Sequence, residues 1–487
     1  MSESLLPCAT RSSTTIGGPS QTSMEASPCG HRQDPVTINT LPDDVLVDIF
    51  HFYVIVDNWR MWRTNEWHTL VHVCQRWRQV VFASPRRLNL RLDYTGKRPL
   101  SEMLDVWPVL PVEITYRFSR IWENLLGAVE SEHRHRICRI DLQGIPTSEW
   151  ERFAAAMQKQ FPELTFLRFW PWGEGNTLTS LPDSFLGGSA PLLRKLWLGN
   201  CPFPGIPKLL LSSNHLVYLD LWNIPDSGYI SPQDVVTALS VLSRLRNLNL
   251  EFQSPRYPAS RPLPPLTRSV LPALTQLSFK GVHEYLEDLL AQIEAPLLIT
   301  LCVTFFMDLD FVLPQLHRLI SQVESFNSCD SAIVHTSGRE IGFKSSTGTN
   351  QLTLWLGISC RELDWQLASL AQVRSSSFPS LEHLDIVDYD IPPSHWKDDM
   401  ETTQWLELLA PFTAMKDLRL THQAAPHVCQ ALEELAGERV TEILPALQNI
   451  FLEGLEPLDS VPKYIEGFVA ARKLSAHPVA VHRWDRT

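Results

Sequence analysis

Leu193-Arg194-Lys195-Leu196-Trp197-Leu198, Leu216-Val217-Tyr218-Leu219-Asp220-Leu221 and Leu245-Arg246-Asn247-Leu248-Asn249-Leu250 follow one pattern: an apolar residue, two others, an apolar residue, one other, an apolar residue. The unit also occurs at Ile137/Ile140/Leu142, Leu164/Leu167/Phe169, Leu274/Leu277/Phe279 and Leu298/Leu301/Val303. It returns at Leu381/Leu384/Ile386, Met415/Leu418/Leu420 and Leu447/Ile450/Leu452. Up to Leu298 the starting positions step by 23 to 29 residues, and the last two steps are 34 and 32. Alternation over the last positions predicts a short strand with one apolar face. So short a unit cannot bury that face alone, so neighbouring units must stack. Pro162, Pro191 and Pro272 stand just before such strands, where no ladder N–H is needed.

A Leu-x-x-Leu-x-Leu at this period resembles the leucine-rich repeats. Helical patterns fall between the strands. Ser148 and Glu151 have capping-box spacing, and Ser231-Pro232 places Ser at an N-cap with Pro at the first helical position. His283–Glu294, Met400–Leu409 and His427–Leu435 are further helical stretches. The fold class expected is α/β: an N-terminal helical unit, then a curved βα solenoid of leucine-rich-repeat type with parallel strands. Leu88–Leu92 and Trp107–Tyr116 read as its first strands. Two stretches break the period. Ser254–Leu266 is proline-rich, and Ser321–Asn350 is polar, with a degenerate repeat expected to use Leu352, Leu354 and Leu356.

The solenoid's start is marked by a different stretch. Leu41-Pro42-Asp43-Asp44-Val45-Leu46-Val47-Asp48-Ile49-Phe50 has apolar residues at helical spacing, with Pro42 at a first helical position and two carboxylates in the first turn. Trp67, Leu70, Cys74, Trp77 and Val81 form a second stripe, expected as one further helix. Leu-Pro-x-x-x-Leu-x-x-Ile-Phe followed by Val-Cys-x-x-Trp resembles the F-box of eukaryotic F-box proteins, the fungal type with a long linker (51–67, holding Trp59 and Trp62). The resemblance covers about a tenth of the chain. It implies docking on a Skp-type adaptor of a cullin–RING ubiquitin ligase through Leu41, Pro42, Leu46, Ile49, Phe50, Val73, Cys74 and Trp77. The domains expected are a disordered Ser/Thr/Gly/Pro-rich tail (1–36), the F-box (37–85), the solenoid (86–460) and a C-terminal cap (461–487).

Composition narrows the function. The chain has 487 residues, 44% hydrophobic and 20% charged, with a net charge of −12. Such an acidic chain is a poor partner for nucleic acid or an anionic membrane. The densest basic cluster, His133–Arg136, is short and reads as a solvated face. Nine scattered cysteines without a Cys-x-x-Cys pair fit a reduced compartment, cytoplasmic or nuclear, and exclude a zinc framework. No apolar run has membrane-spanning length, and no secretory signal opens the chain. Nucleophile-elbow, Walker, zincin and dinucleotide-binding motifs are all missing, so no catalytic residue, metal site or cofactor is expected.

Side chains alternate along a strand, so the remaining repeat positions should line the concave side. These include Phe166, Arg168, Trp170, Trp197, Tyr218, Asp220 and Trp222, then Asn247, Asn249, Glu251, Gln276, Ser278 and Lys280. Trp, Tyr and Arg dominate interface energetics, which makes the first seven a candidate surface for an as yet unknown protein substrate. A second reading makes the chain a repeat scaffold without a ligase role, its helical unit merely capping the solenoid. The two differ in whether the unit's apolar face is buried or open.

Overall fold

The computed structural model describes residues 38–484 except 57–66, 107–109, 118–121, 173–177, 257–267, 307–311, 324–325, 327–328, 338–339, 347–351, 360–369, 371–379, 390–401, 436–438 and 455–460. The expected disordered tail, Trp59 and Trp62, and most of the proline-rich stretch therefore lie outside the described residues.

Among the described residues sixteen strands form one sheet. The first nine are β1 (Leu92–Tyr94), β2 (Val112–Arg117), β3 (Ile137–Ile145), β4 (Phe166–Pro171), β5 (Lys195–Gly199), β6 (Tyr218–Ile224), β7 (Asn247–Phe252), β8 (Gln276–Gly281) and β9 (Thr300–Phe306). The rest are β10 (Ser331–Ser337), β11 (Glu340–Ser346), β12 (Leu352–Ser359), β13 (His383–Tyr389), β14 (Asp417–Leu420), β15 (Asn449–Glu453) and β16 (Ala480–Trp484).

The repeat pattern becomes the register of this sheet. Ile140, Leu167, Leu196, Leu219, Leu248, Leu277 and Leu301 are successive partners along one row. Leu142, Phe169, Leu198, Leu221, Leu250, Phe279 and Val303 form the next inward row. All are buried. Burying one such side chain contributes about 1.5–3 kcal/mol, and a strand slipped by one residue would turn the whole set to the opposite face. Just before the strands the backbone adds its own ladder. Arg194 N–H donates to the Thr165 carbonyl at 2.8 Å, Val217 to Arg194 at 2.8 Å and Arg246 to Val217 at 2.9 Å.

Helices cover the apolar face. Among them are Thr147–Ala156, Pro232–Leu239, His283–Gln292, Pro314–Gln322 and Thr402–Leu409. Rings bridge helices, turns and strands: Phe153 meets Phe169 at 5.0 Å, Phe169 meets Phe185 at 5.8 Å and Phe185 meets Phe203 at 5.3 Å. Ser231 caps its helix as expected, accepting the Asp234 N–H at 3.1 Å. The Ser148 capping box does not form. That helix starts at Thr147 after Pro146, so Ser148 lies inside the first turn, and Glu151 instead accepts from Thr179 Oγ1 at 2.7 Å. The helix expected at His427–Leu435 spans Ala424–Glu433.

Other expectations need correction. Of Leu88–Leu92, Leu88 and Asn89 are turn, and the strand begins only at Leu92; the next begins at Val112. The strands are not all parallel. Spatial order along the sheet is β1 to β9, then β12, β11, β10, then β13 to β16, and β11 runs antiparallel to both neighbours. Only two residues separate β10 from β11, too few for the crossover that parallel pairing requires. The expected degenerate repeat is thus a three-strand meander, with Leu354 and Leu356 buried in β12. The C-terminal segment is less a lid than one more unit. After the helix Glu466–Leu474, β16 pairs in parallel with β15. Arg472 of that helix is fully buried and donates to the Leu447 carbonyl at 2.8 Å.

Candidate functional site

Among the described residues three α-helices precede the sheet: α1 (Asp43–Val56), α2 (Trp67–Val71) and α3 (Gln75–Ala83). The single second helix expected from the Trp67–Val81 stripe is therefore two. Cys74 is the reason, since it sits at the N-cap of α3 and its Sγ accepts the Trp77 N–H at 3.4 Å. Pro42 lies one position earlier than expected. Its carbonyl accepts the Leu46 N–H at 3.1 Å, which makes it the N-cap of α1. Arg76 of α3 ties down that end, donating to Asp43 Oδ1 at 2.7 Å and to the Leu41 carbonyl at 2.5 Å.

This unit packs on the first strand. Phe50 meets Trp77 at 4.7 Å between ring centroids, and Trp67 Nε1 donates to the Arg91 carbonyl at 3.0 Å. Leu46, Val47, Phe50, Trp67 and Val81 share one continuous apolar core with the sheet. Leu46 and Phe50 are 0% and 1% exposed, so they hold the unit together and offer nothing to a partner; their expected docking role is corrected. The remaining expected docking residues are accessible. Leu41 and Trp77 are half-buried, while Pro42, Ile49, Val73 and Cys74 are exposed.

The burial pattern shows a face that the motif did not. Helix α1 is apolar on two sides. Its outward stripe is Val45, Ile49, Phe52 and Tyr53, with Ile49 41% and Phe52 71% exposed, and Val73 nearby in sequence to α3 is 58% exposed. Spacings of four, three and one put these four on one helical face. Phe52 was not singled out from the sequence, although its spacing from Ile49 carried the signal.

The second candidate surface is the sheet face turned away from the helices. Here β3 to β7 present charge and aromatic rings in alternating layers. Asp141 is buried and receives Arg139 at 3.2 Å, Arg168 at 3.5 Å and Gln143 Nε2 at 3.0 Å. Each arginine also lies on a ring: Arg139 is 3.5 Å from the centre of Phe166, and Arg168 is 3.2 Å from that of Trp197. Phe166 is buried, which removes it from the substrate-contacting set. Trp197 meets Tyr218 at 5.2 Å. Asn249 Nδ2 donates to both Asp220 Oδ1 and Glu251 Oε1 at 2.9 Å. Burial pushes the Asp220 carboxyl above the usual range, and the hydrogen bonds from Asn249 and Tyr218 offset this in part. Burial, with Asp220 next to it, pushes Tyr218 up to about 12.

Trp170 and Trp222 stand two strands apart, yet their rings meet edge to face at 5.1 Å. The strand between them carries Gly199, the register partner of Trp222, and a Cβ there would lie 3.1 Å from Trp222 Cε3. The missing side chain lets the two indoles lean together. They remain 45% and 38% exposed. With Arg168, Trp197 and Asp220 they line a pocket of about 420 Å³. Of the expected substrate residues the fold thus brings together Arg168, Trp170, Trp197, Asp220 and Trp222, with Tyr218 at the margin.

Among the described residues no cluster of His, Cys, Asp or Glu could hold a metal ion, and no helix is long and apolar enough to cross a membrane. The described cysteines form no disulfide. The basic cluster is less solvated than expected: His133, Arg134 and Arg136 are half-buried, and Arg136 donates to the Leu110 carbonyl from Nε at 3.0 Å and from Nη2 at 2.7 Å. No protein-family model and no curated protein matches the chain.

Proposed function

We propose that this chain is a substrate-recognition adaptor of a cullin–RING ubiquitin ligase, with α1 to α3 acting as an F-box and the strand–helix units as an irregular leucine-rich-repeat solenoid. The observation that carries the proposal is the open apolar stripe Val45, Ile49, Phe52 and Tyr53 on a helix whose other side is anchored in the core. A helix used only to cap the solenoid needs one apolar face, and a contiguous exposed one marks a protein contact. The Leu-Pro start of the F-box pattern opens this same helix. The ligase core would supply catalysis, and this chain would supply proximity between its substrate and the ubiquitin-charged enzyme. Substrate would meet the aromatic face of β4 to β6. Work of this kind places the chain in the cytoplasm or nucleus.

The scaffold reading has one observation on its side. Leu46, Phe50 and Trp67 bury themselves as a cap would. The two readings separate in a capture experiment with a purified Skp-type adaptor, using wild type and the Leu41→Ala/Pro42→Ala variant. The ligase reading expects capture by the wild type and strong loss in the variant. Failure of the folded wild type to capture the adaptor leaves a repeat scaffold.

A further inference from the structure

The pocket on the open face says more about the segment it takes, on the reading that this face recruits substrate. We infer that the pocket lined by Trp170, Trp222 and Asp220 receives one basic side chain, lysine or arginine, of an extended substrate segment.

The face itself shows what its rings bind. Phe166 and Trp197 each carry an arginine of the chain's own, at 3.5 and 3.2 Å from the ring centre. Trp170 and Trp222 carry none among the described residues, and both are open to solvent. Indole is the ring that attracts a cation most strongly, the more so when the contact is desolvated. Gly199 has no side chain to hold the Trp222 ring off the strand, so that ring lies over it and against Trp170.

Charge favours the same occupant. Asp220 lines the pocket, and among the described residues no lysine or arginine is within ion-pair distance of it. Arg168 lines it too, but Asp141 meets that guanidinium at 3.5 Å and the ring of Trp197 covers it. Asn249 and Tyr218 orient the Asp220 carboxylate, and Arg168, shared with Asp141, acts on it from beyond ion-pair distance; burial outweighs all three and raises its proton affinity, as expected for a charge whose compensation is incomplete. A lysine or arginine would supply that charge. An aliphatic side chain would bury the carboxylate further without compensation, and an acidic one would be repelled. The net charge of −12 adds attraction for basic segments at long range.

The test uses the full chain and capped pentapeptides Gly-Gly-Xaa-Gly-Gly, with Xaa arginine, lysine, norleucine or glutamate, titrated by calorimetry and tryptophan fluorescence. Arginine and lysine should bind about tenfold more tightly than norleucine, and glutamate most weakly. Asp220→Asn, which is isosteric, should erase the preference for arginine over norleucine while norleucine binding stays the same. Trp170→Leu should weaken arginine binding by a similar factor, with circular dichroism confirming the fold in both variants. Norleucine binding as tightly as arginine would overturn the inference and leave the open face as an apolar substrate site. Binding of none of the four would overturn the inference and the substrate role of this face together, while capture of the Skp-type adaptor still tests the N-terminal helices on their own.

Discussion

Leu46 and Ile49 lie three residues apart on α1, at 0% and 41% exposure, and the proposed docking function stands on that contrast. Leu46→Ala removes buried methylene groups and leaves a cavity where α1 meets the core, at a cost of about 2–5 kcal/mol. Ile49→Glu replaces an open side chain with a good helix former, so stability should move by no more than about 0.5 kcal/mol. Against a bound adaptor the same change loses an apolar contact and forces a carboxylate out of water. That costs about 2 kcal/mol or more, or roughly a 30-fold rise in Kd. Hydrogen exchange of α1 to α3 reads the stability, and calorimetric titration with a purified Skp-type adaptor reads the affinity. The expected result is a double dissociation: Leu46→Ala loosens exchange across the three helices, and Ile49→Glu leaves exchange alone and abolishes tight binding. If Ile49→Glu loosens the helices as much as Leu46→Ala, the stripe is not an open face. If it changes neither quantity, α1 is not the docking element.

Asp220→Asn should raise the melting temperature at neutral pH. Burial raises the Asp220 carboxyl pKa in the folded chain, so its ionisation opposes folding at neutral pH, and that opposition fades as pH falls through the raised value. The advantage of the variant should therefore shrink on acidification, and an advantage that grows there would refute the argument. Gly342→Ala places a Cβ 2.2 Å from Trp355 Cζ2 in the three-strand meander, so the indole must give up its 3.2 Å hydrogen bond to Thr304. The overlap and the lost bond together should cost about 2–4 kcal/mol in urea unfolding, and a change below about 0.5 kcal/mol would show that the ring relocates freely. Iodoacetamide at mildly alkaline pH, read by peptide mass mapping, should label Cys74 quickly and spare Cys138 and Cys201. Cys74 is exposed, whereas burial pushes the other two thiols up to about 11 and about 12. Rapid labelling of Cys201 in the folded protein would contradict its buried position.

What the sequence determined by itself is local and periodic. The spacing of Leu196 and Leu198, repeated at Leu219 and Leu221, sets which side of each strand is apolar, because side chains alternate regardless of what lies beyond. Stacking follows, since a single unit leaves that side wet, and the register rows duly reproduce the alignment of the repeats. The Ser231 cap was legible because its partner is three residues away, and the first-turn carboxylates of α1 because they answer the dipole of their own helix.

Only the tertiary structure decided matters that depend on distant neighbours. Every apolar residue of α1 satisfies a helical stripe, so the pattern could not separate Leu46 and Phe50, which are buried in the core, from Ile49 and Phe52, which are exposed. The reversal of β11 hung on the length of its connections rather than on any leucine. Trp170 and Trp222 lie 52 positions apart in the chain. They meet because parallel strands set them on either side of Gly199, and a residue defined by having no side chain leaves no apolar pattern to read.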